Sequence, residues 1–517
     1  MSWERDWPLL PLLVVAALLM APLWCVTTPA MPDYPAHFAS FWLIGQGAHE
    51  PLVSSFYRIH WAFLPNLAAE IAVPLLARLV GLECAIRIFL SAALAFWVLG
   101  PATINRALHG RIGAGPFAAA FFAYNVNFMW GFFNFYFAAG LAFLIFAAWI
   151  ATADRKGIWR IAAFTLAVTY VYFCHIFAVA VLGIMIGGFE LARLLEQRPV
   201  TAKLLVRRAA QIAILFVPAA LAFLFLKPGS GVDDHTLEFN LLDTMLDRYE
   251  SLIQHYYDKP DYVLPALLLA LLLLAFFRRK ARLPRTMYWV LGLMAAASLL
   301  APEWAMGGWA CHLRMPAIFA AMLFATCEFR LEKKTFVGII VAALALSAWN
   351  AKILAAAWRG YDQQYQEFRG ALTDVPRGAK LLTVLDGDAI GLASDQPYWH
   401  MAEFAIPARG AFTPLMFTTK GQHVVRLLPA YAGFAAATAQ QGSPPDISEL
   451  GDLAAGDVDG DPDIEDIFPY LMYFQCHFDQ VVLIHLNGPR SPVPAMLHLR
   501  HAGSFFSLYD IRGKCPD

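Results

Sequence analysis

Asp33 and His37 stand four residues apart in MPDYPAHFASFWLIG (31–45). A helix starting there places both side chains on one face. Pro32 and Pro35 favour a helix start with Asp33 at its N-cap. Such a pair reads in two ways. Asp33 simply caps the helix, or it is a carboxylate held ready as a general base, with His37 steering it or sharing a divalent metal with it. A second group of candidates binds rather than reacts. Arg314 and His312 lie in WACHLRMPAIF (309–319), where an Arg can clamp a phosphate bidentately and a Lys cannot. The alternative for Arg314 is snorkelling to lipid headgroups. His175, in VYFCHIFAV (171–179), is either an interfacial histidine or a substrate ligand, and Asp233-Asp234-His235 is either a solvated loop or a site for acceptor or metal. The aromatic stretch FMWGFFNFYF (128–137) suits sugar stacking or an interfacial aromatic belt. Asn125, Asn127 and Asn134 suit sugar hydroxyls or turn caps.

These residues need a frame, and composition says which kind. Of 517 residues, 59% are hydrophobic and only 15% are charged, with a mean hydropathy of +0.54. Soluble domains run at about 25% charged, so an ordinary soluble or disordered chain is excluded. Residues 1–360 carry 28 basic and 20 acidic side chains, whereas 361–517 carry 10 and 19. An apolar, mildly basic body is thus followed by an acidic, polar segment, and no basic patch in the polar part supports a nucleic-acid partner.

A bilayer core of about 30 Å takes about 20 apolar helical residues. Eleven stretches are candidates: 8–28, 86–105, 113–129, 132–152, 158–175, 177–194, 209–226, 262–277, 287–301, 315–328 and 335–357. The stretch 61–80 is a twelfth or a surface helix. Basic clusters recur in every second loop, at Arg106/Arg111, Arg155/Lys156/Arg160, Arg193 to Arg208, Arg278 to Arg285 and Arg330/Lys333/Lys334. The positive-inside rule puts those loops and the N-terminus in the cytoplasm. Of the eight histidines before residue 361, only His109 then falls on the cytoplasmic side. The n-region MSWERDW has no net positive charge, which argues for an anchored first span over a cleaved signal peptide. The expected fold is mainly α, with a multi-pass transmembrane domain over 1–357 and an extracytoplasmic α/β domain over 358–517, in a bacterial inner membrane.

In the second domain, 379–387, 480–488 and 504–512 read as strands bounded by Gly, Asp or Asn, and 361–372, 398–407 and 422–438 read as helices. GDVDGDPDIED (456–466) spaces its aspartates like a calcium loop, but Pro462 replaces the turn glycine and Phe468 the final glutamate. Cys476 and Cys515 both fall in this segment, where an oxidising compartment permits a bridge.

With its short N-terminus, one span, an Asp-containing first outer loop and amphipathic helices after it, the chain resembles the GT-C-fold membrane glycosyltransferases. The resemblance extends through GLECAIRIFLSAALAFWVLG (81–100) and GFFNFYFAAGLAF (131–143) to the outward C-terminal domain. The family often shows two adjacent acids in the first loop, and here Asp33 stands alone. The resemblance implies inverting transfer of a sugar from a polyprenyl-phosphate donor to an envelope acceptor. Asp33 and His37 would be catalytic, and Arg314, His312, His175, Asp233 and Asp234 would bind substrate. It implies membrane lipid as a partner and no certain cofactor, a divalent metal remaining an alternative. Oligomeric state is not legible. A transporter or flippase of a lipid-linked substrate is the first rival, although no internal repeat is visible and the ionisable residues sit at the edge rather than the midplane. A non-catalytic envelope assembly protein is the second.

Overall fold

The structure is a computed structural model, which describes residues 7–155, 157–197, 200–226, 237–254, 256, 258–305, 308–387, 395–434, 444–456, 470–487 and 490–515. The chain is mainly α-helical. Among the described residues, five helices are long and apolar enough to cross a membrane: Leu82–His109, Phe133–Ala151, Ile176–Glu196, Ala202–Leu226 and Lys333–Asp374. Shorter apolar helices include Leu9–Trp24, Ile158–Cys174, Asp261–Phe277, Arg285–Leu300 and Cys311–Thr326. Ten of the eleven expected stretches therefore appear as helices. The stretch 113–129 does not form one rod: it breaks into Gly115–Ala119, Ala120–Ala123 and Val126–Met129. Asn125 ends the middle piece and caps the last, its side chain accepting from the Asn127 N–H, a competition with helix continuation that Asn favours. The stretch 61–80 yields a 13-residue helix, Ala68–Val80, about 20 Å long and too short to span.

Helices in lipid gain little from burying apolar surface against one another, so close approach and specific bonds decide their packing. Leu82–His109 and Phe133–Ala151 illustrate both. A Cβ on Gly100 would fall 2.6 Å from Phe143 Cβ, and one on Gly140 2.8 Å from Phe96 Cβ. Trp97 stacks on Tyr136 at 4.8 Å and donates its indole N–H to the Tyr136 carbonyl at 2.9 Å. Gly100→Val is expected to cost about 1–3 kcal/mol through overpacking, read as a lowered melting temperature of the detergent-solubilised protein. An unchanged melt would show that these helices do not meet there.

The helix Lys333–Ala371 has 39 residues, about 58 Å, well beyond the apolar core. It runs unbroken across the expected boundary at 357/358, so the two regions share one rigid element. The Asp362 carboxylate, in its last third, accepts from the Thr27 and Thr28 backbone N–H groups at 2.9 Å each. Tyr365 donates to the Pro397 carbonyl at 2.6 Å, and Arg369 lies 3.4 Å from Glu83.

Beyond it lies a four-stranded sheet. We number strands in chain order: β1 Tyr57–Ile59, β2 Leu381–Asp386, β3 Val425–Leu427, β4 Gln480–His485, β5 Leu497–Ala502 and β6 Phe506–Ile511. The sheet order is β2-β4-β6-β5, with β2 and β4 parallel and the other neighbours antiparallel. The three expected strands are β2, β4 and β6. The fourth, β5, reads LHLRHA with an exposed, polar outer row, which hides the apolar signal of a strand. The segment expected as a helix at 422–438 instead holds β3, which pairs antiparallel with β1; Pro429 ends the pattern and starts a 3-10 turn. This pairing stitches the loop after the first helix to the C-terminal region. Cys476 and Cys515 form a disulfide with Cα atoms 5.5 Å apart. The calcium-like spacing at 457–461 lies outside the described residues.

Candidate active site

Asp33 precedes the helix Tyr34–Gly45 at its N-cap, but its side chain makes no capping hydrogen bond. The backbone fixes it instead. Its N–H donates to the Trp130 carbonyl at 3.0 Å, and its carbonyl accepts from the His37 N–H at 3.0 Å. Gly131 makes this approach possible: it holds φ +91°, and a Cβ there would sit 3.2 Å from Asp33 Cβ. The Asp33 carboxylate is thus half-buried and uncommitted. Burial raises its pKa to about 6, against the opposing pull of His400 and Arg314.

His37 is buried on the same helix. It stacks on Phe133 at 4.6 Å and meets Phe417 edge-on at 5.2 Å. Burial, and after it His423 and His400, pushes its pKa down to about 3. The ring is thus neutral at physiological pH and packed among aromatic rings one helical turn after Asp33.

Arg314 lies at the head of the helix Pro316–Thr326. Its guanidinium sits over Phe132, Phe135 and Phe177, at 4.9, 5.0 and 5.0 Å from the ring centres. One Nη donates to the Trp309 carbonyl at 3.3 Å, while Nε is buried without a hydrogen-bond partner. The other Nη lies 3.2 Å from His175 Nε2. His175 caps the helix Ile176–Glu196, its Nδ1 accepting from the Phe177 N–H at 3.2 Å. In that tautomer neutral His175 carries its proton on Nε2, so two donors face each other. An anionic oxygen is the partner that satisfies both.

These two donors open on a cleft of about 510 Å³, including its mouth, lined also by Pro65, Asn66, Phe177, Gly421 and Gln422. Asp33 connects to it through packed aromatics. Trp130, which holds the Asp33 N–H, lies 5.1 Å from Trp309, which holds Arg314. The structure thus brings Asp33, His37, Arg314 and His175 to one region. It sends His312 elsewhere: that ring is buried, 4.0 Å from Asp247. Asp233 and Asp234 lie outside the described residues. The three asparagines act as caps and braces: Asn134 donates to Glu70 and accepts from the Ala69 N–H, both at 2.7 Å, and Asn127 donates to the Leu313 carbonyl at 3.3 Å. No group of three His, Cys, Asp or Glu side chains is arranged to hold a metal among the described residues.

Sequence reasoning missed the contribution of the C-terminal region. Phe417 packs against His37, His400 and His423, with ring centres 5.0–5.2 Å apart, and Glu403 lies 3.6 Å from His400. His400 and Glu403 stand three apart in WHMAEF, a segment already expected to be helical. That spacing was the available signal.

No family model and no curated protein matches the chain. Two solved structures do. ArnT from Cupriavidus metallidurans in the apo state superimposes with a TM-score of 0.52 at 10% identity, covering 97% of each chain. The same protein bound to undecaprenyl phosphate gives 0.48 at 11% identity, covering 98% of each chain. The end-to-end likeness to the apo state shows that the chain shares the fold of that protein.

Proposed function

We propose that the chain is an integral membrane glycosyltransferase that moves a sugar from a polyprenyl-phosphate donor to an acceptor hydroxyl at the extracytoplasmic face. The carrying observation is the pair of facing donors, Arg314 Nη and His175 Nε2 at 3.2 Å, in a cleft that packed Trp309 and Trp130 link to Asp33. Such donors fit a phosphate whose charge grows as it leaves. Phe177 and the apolar residues beside it suit the first part of a prenyl tail.

In this scheme Asp33 Oδ accepts the acceptor hydroxyl proton. The hydroxyl oxygen bonds to the anomeric carbon as the bond from that carbon to the phosphate oxygen breaks. The electron pair leaves with polyprenyl phosphate, held by Arg314 and His175. Attack opposite the leaving group inverts the anomeric centre. A carboxylate of pKa near 6 is ionised at neutral pH and still basic enough to help. The alternation of basic loops supports a cytoplasmic N-terminus, with this site and the sheet outside.

Two experiments test the proposal. Alkaline phosphatase fused after residue 365 or 500 is expected to be active, and fused after 157 or 281 inactive; activity at 281 would reverse the orientation. Proteoliposomes holding the purified chain are expected to consume a polyprenyl-phosphate-linked radiolabelled sugar and release polyprenyl phosphate when envelope glycolipid is supplied. No release from a panel of pentose- and hexose-linked donors would remove the transferase reading.

A further inference from the structure

Arg314 follows a turn with a strained backbone. Ala310 holds φ +62° and ψ +28°, a left-handed conformation that disfavours any residue with a Cβ, and it is fully buried. Such a residue persists only where its surroundings over-determine it. Both of its neighbours bear on Arg314. The Trp309 carbonyl accepts from one Arg314 Nη at 3.3 Å, and the Cys311 carbonyl accepts from the Arg314 N–H at 3.3 Å.

Glu303 grips both of those neighbours. Its carbonyl accepts from the Cys311 N–H at 3.1 Å, and its Oε1 accepts from the Trp309 indole N–H at 3.4 Å. The second carboxylate oxygen accepts from Asn240 Nδ2 at 2.7 Å. Asn240 belongs to the long loop that also carries Asp233 and Asp234. That loop is fastened around Glu303 at further points. The Glu303 N–H donates to the Glu238 carbonyl at 2.8 Å, and the Glu238 N–H to the Trp304 carbonyl at 3.3 Å. The buried Arg248 guanidinium donates to the Ser298 and Ala301 carbonyls at 2.9 and 2.8 Å. The Trp309 ring also packs on Trp130 at 5.1 Å, which Trp399 meets edge-on at 6.0 Å.

We propose that Glu303, set by Asn240, is a positioning residue for the donor phosphate: it fixes the turn Trp309–Cys311 and so aims the Arg314 fork. The inference rests on the reading of Arg314 as the phosphate ligand. Ring faces attract a guanidinium without setting its rotation, whereas a hydrogen bond from one Nη does set it. With that Nη committed to the Trp309 carbonyl, the other is turned to His175, 3.2 Å away. A displaced Trp309 carbonyl would swing the second Nη off this line. Freezing the arginine before the anion arrives also spares the cost of ordering it on binding. A carboxylate suits the task, because its two oxygens serve the Trp309 and Asn240 donors at once.

A double-mutant cycle on the full-length protein in nanodiscs tests this, with polyprenyl phosphate itself as the probe. Glu303→Gln keeps the shape of the side chain but offers one acceptor oxygen to two donors. It is expected to weaken polyprenyl-phosphate binding by about 3- to 30-fold with Arg314 present, and by less than about twofold in an Arg314→Ala background. Asn240→Ala is expected to act in the same direction with a smaller effect. The melting temperature is read for every variant. A merely structural brace predicts equal losses in both backgrounds, or a lowered melt with binding unchanged, and either result overturns the proposal. Should Glu303→Gln not fold, Asn240→Ala takes its place in the cycle, and unchanged binding there overturns the proposal equally. The same cycle keeps the two readings apart. Wild-type binding by Arg314→Ala removes the phosphate site, and this proposal with it. Weak binding by Arg314→Ala beside wild-type binding by Glu303→Gln discards the role of Glu303 alone.

Discussion

Asp33→Asn is expected to lower sugar transfer by roughly 100- to 10,000-fold, the range that general-base help supplies, with polyprenyl-phosphate binding kept. The amide preserves shape and removes basicity. If the aspartate were a helix cap, the change would instead cost about 1 kcal/mol of stability and leave the specific activity of folded protein intact. The geometry argues against a cap, because no side-chain hydrogen bond joins Asp33 to its helix. Wild-type transfer should also fall as pH drops through about 6, since protonation removes the base. The loss lies on the acid side because burial has raised this pKa. Asp33→Asn should flatten that limb. Near-wild-type transfer by the variant would eliminate Asp33 as the base.

The sequence made the ingredients on each side of this site legible, but not their meeting. Asp33 and His37 were readable because a helix start carries its own local signals, Pro32, Pro35 and a four-residue spacing. Arg314 was readable because a cation at the end of an apolar run stands out. Strands β2, β4 and β6 were readable from apolar runs that end in turn residues. What failed has a common cause. The break at 113–129 depends on Asn125 competing for backbone bonds, a local effect that an apolar run masks. The β1–β3 pairing, the docking of Trp399 on Trp130 and the sharing of Phe417 by three histidines join segments hundreds of residues apart. Periodicity within either segment carries no trace of such contacts. His37 was readable for the same local reason as Asp33, but its aromatic surroundings were not: Phe133 stacks on its ring and Phe417 meets it edge-on from the far end of the chain.

Arg314 carries the second large effect, and it falls on binding as well as on turnover. Its guanidinium is framed by three phenylalanine rings and faces the Nε2 of His175, so the group is pre-placed and pays little ordering cost when an anion arrives. Hydrogen bonds to charged groups contribute about 1.5–3 kcal/mol. Arg314→Ala is therefore expected to weaken polyprenyl-phosphate binding by roughly 10- to 150-fold, measured with the lipid phosphate itself by native mass spectrometry or scintillation proximity. Turnover should fall further than binding, because the leaving phosphate gains charge in the transition state and calls more strongly on the same donors. Arg314→Lys should recover only part of either loss, since an ammonium keeps the charge but neither spans the fork nor stacks on the rings. A surface-seeking arginine would behave differently: Ala and Lys variants would both bind donor as wild type does. Unchanged binding by Arg314→Ala would move the phosphate site away from this cleft, and the assignment of Asp33 would then have to stand on its own titration.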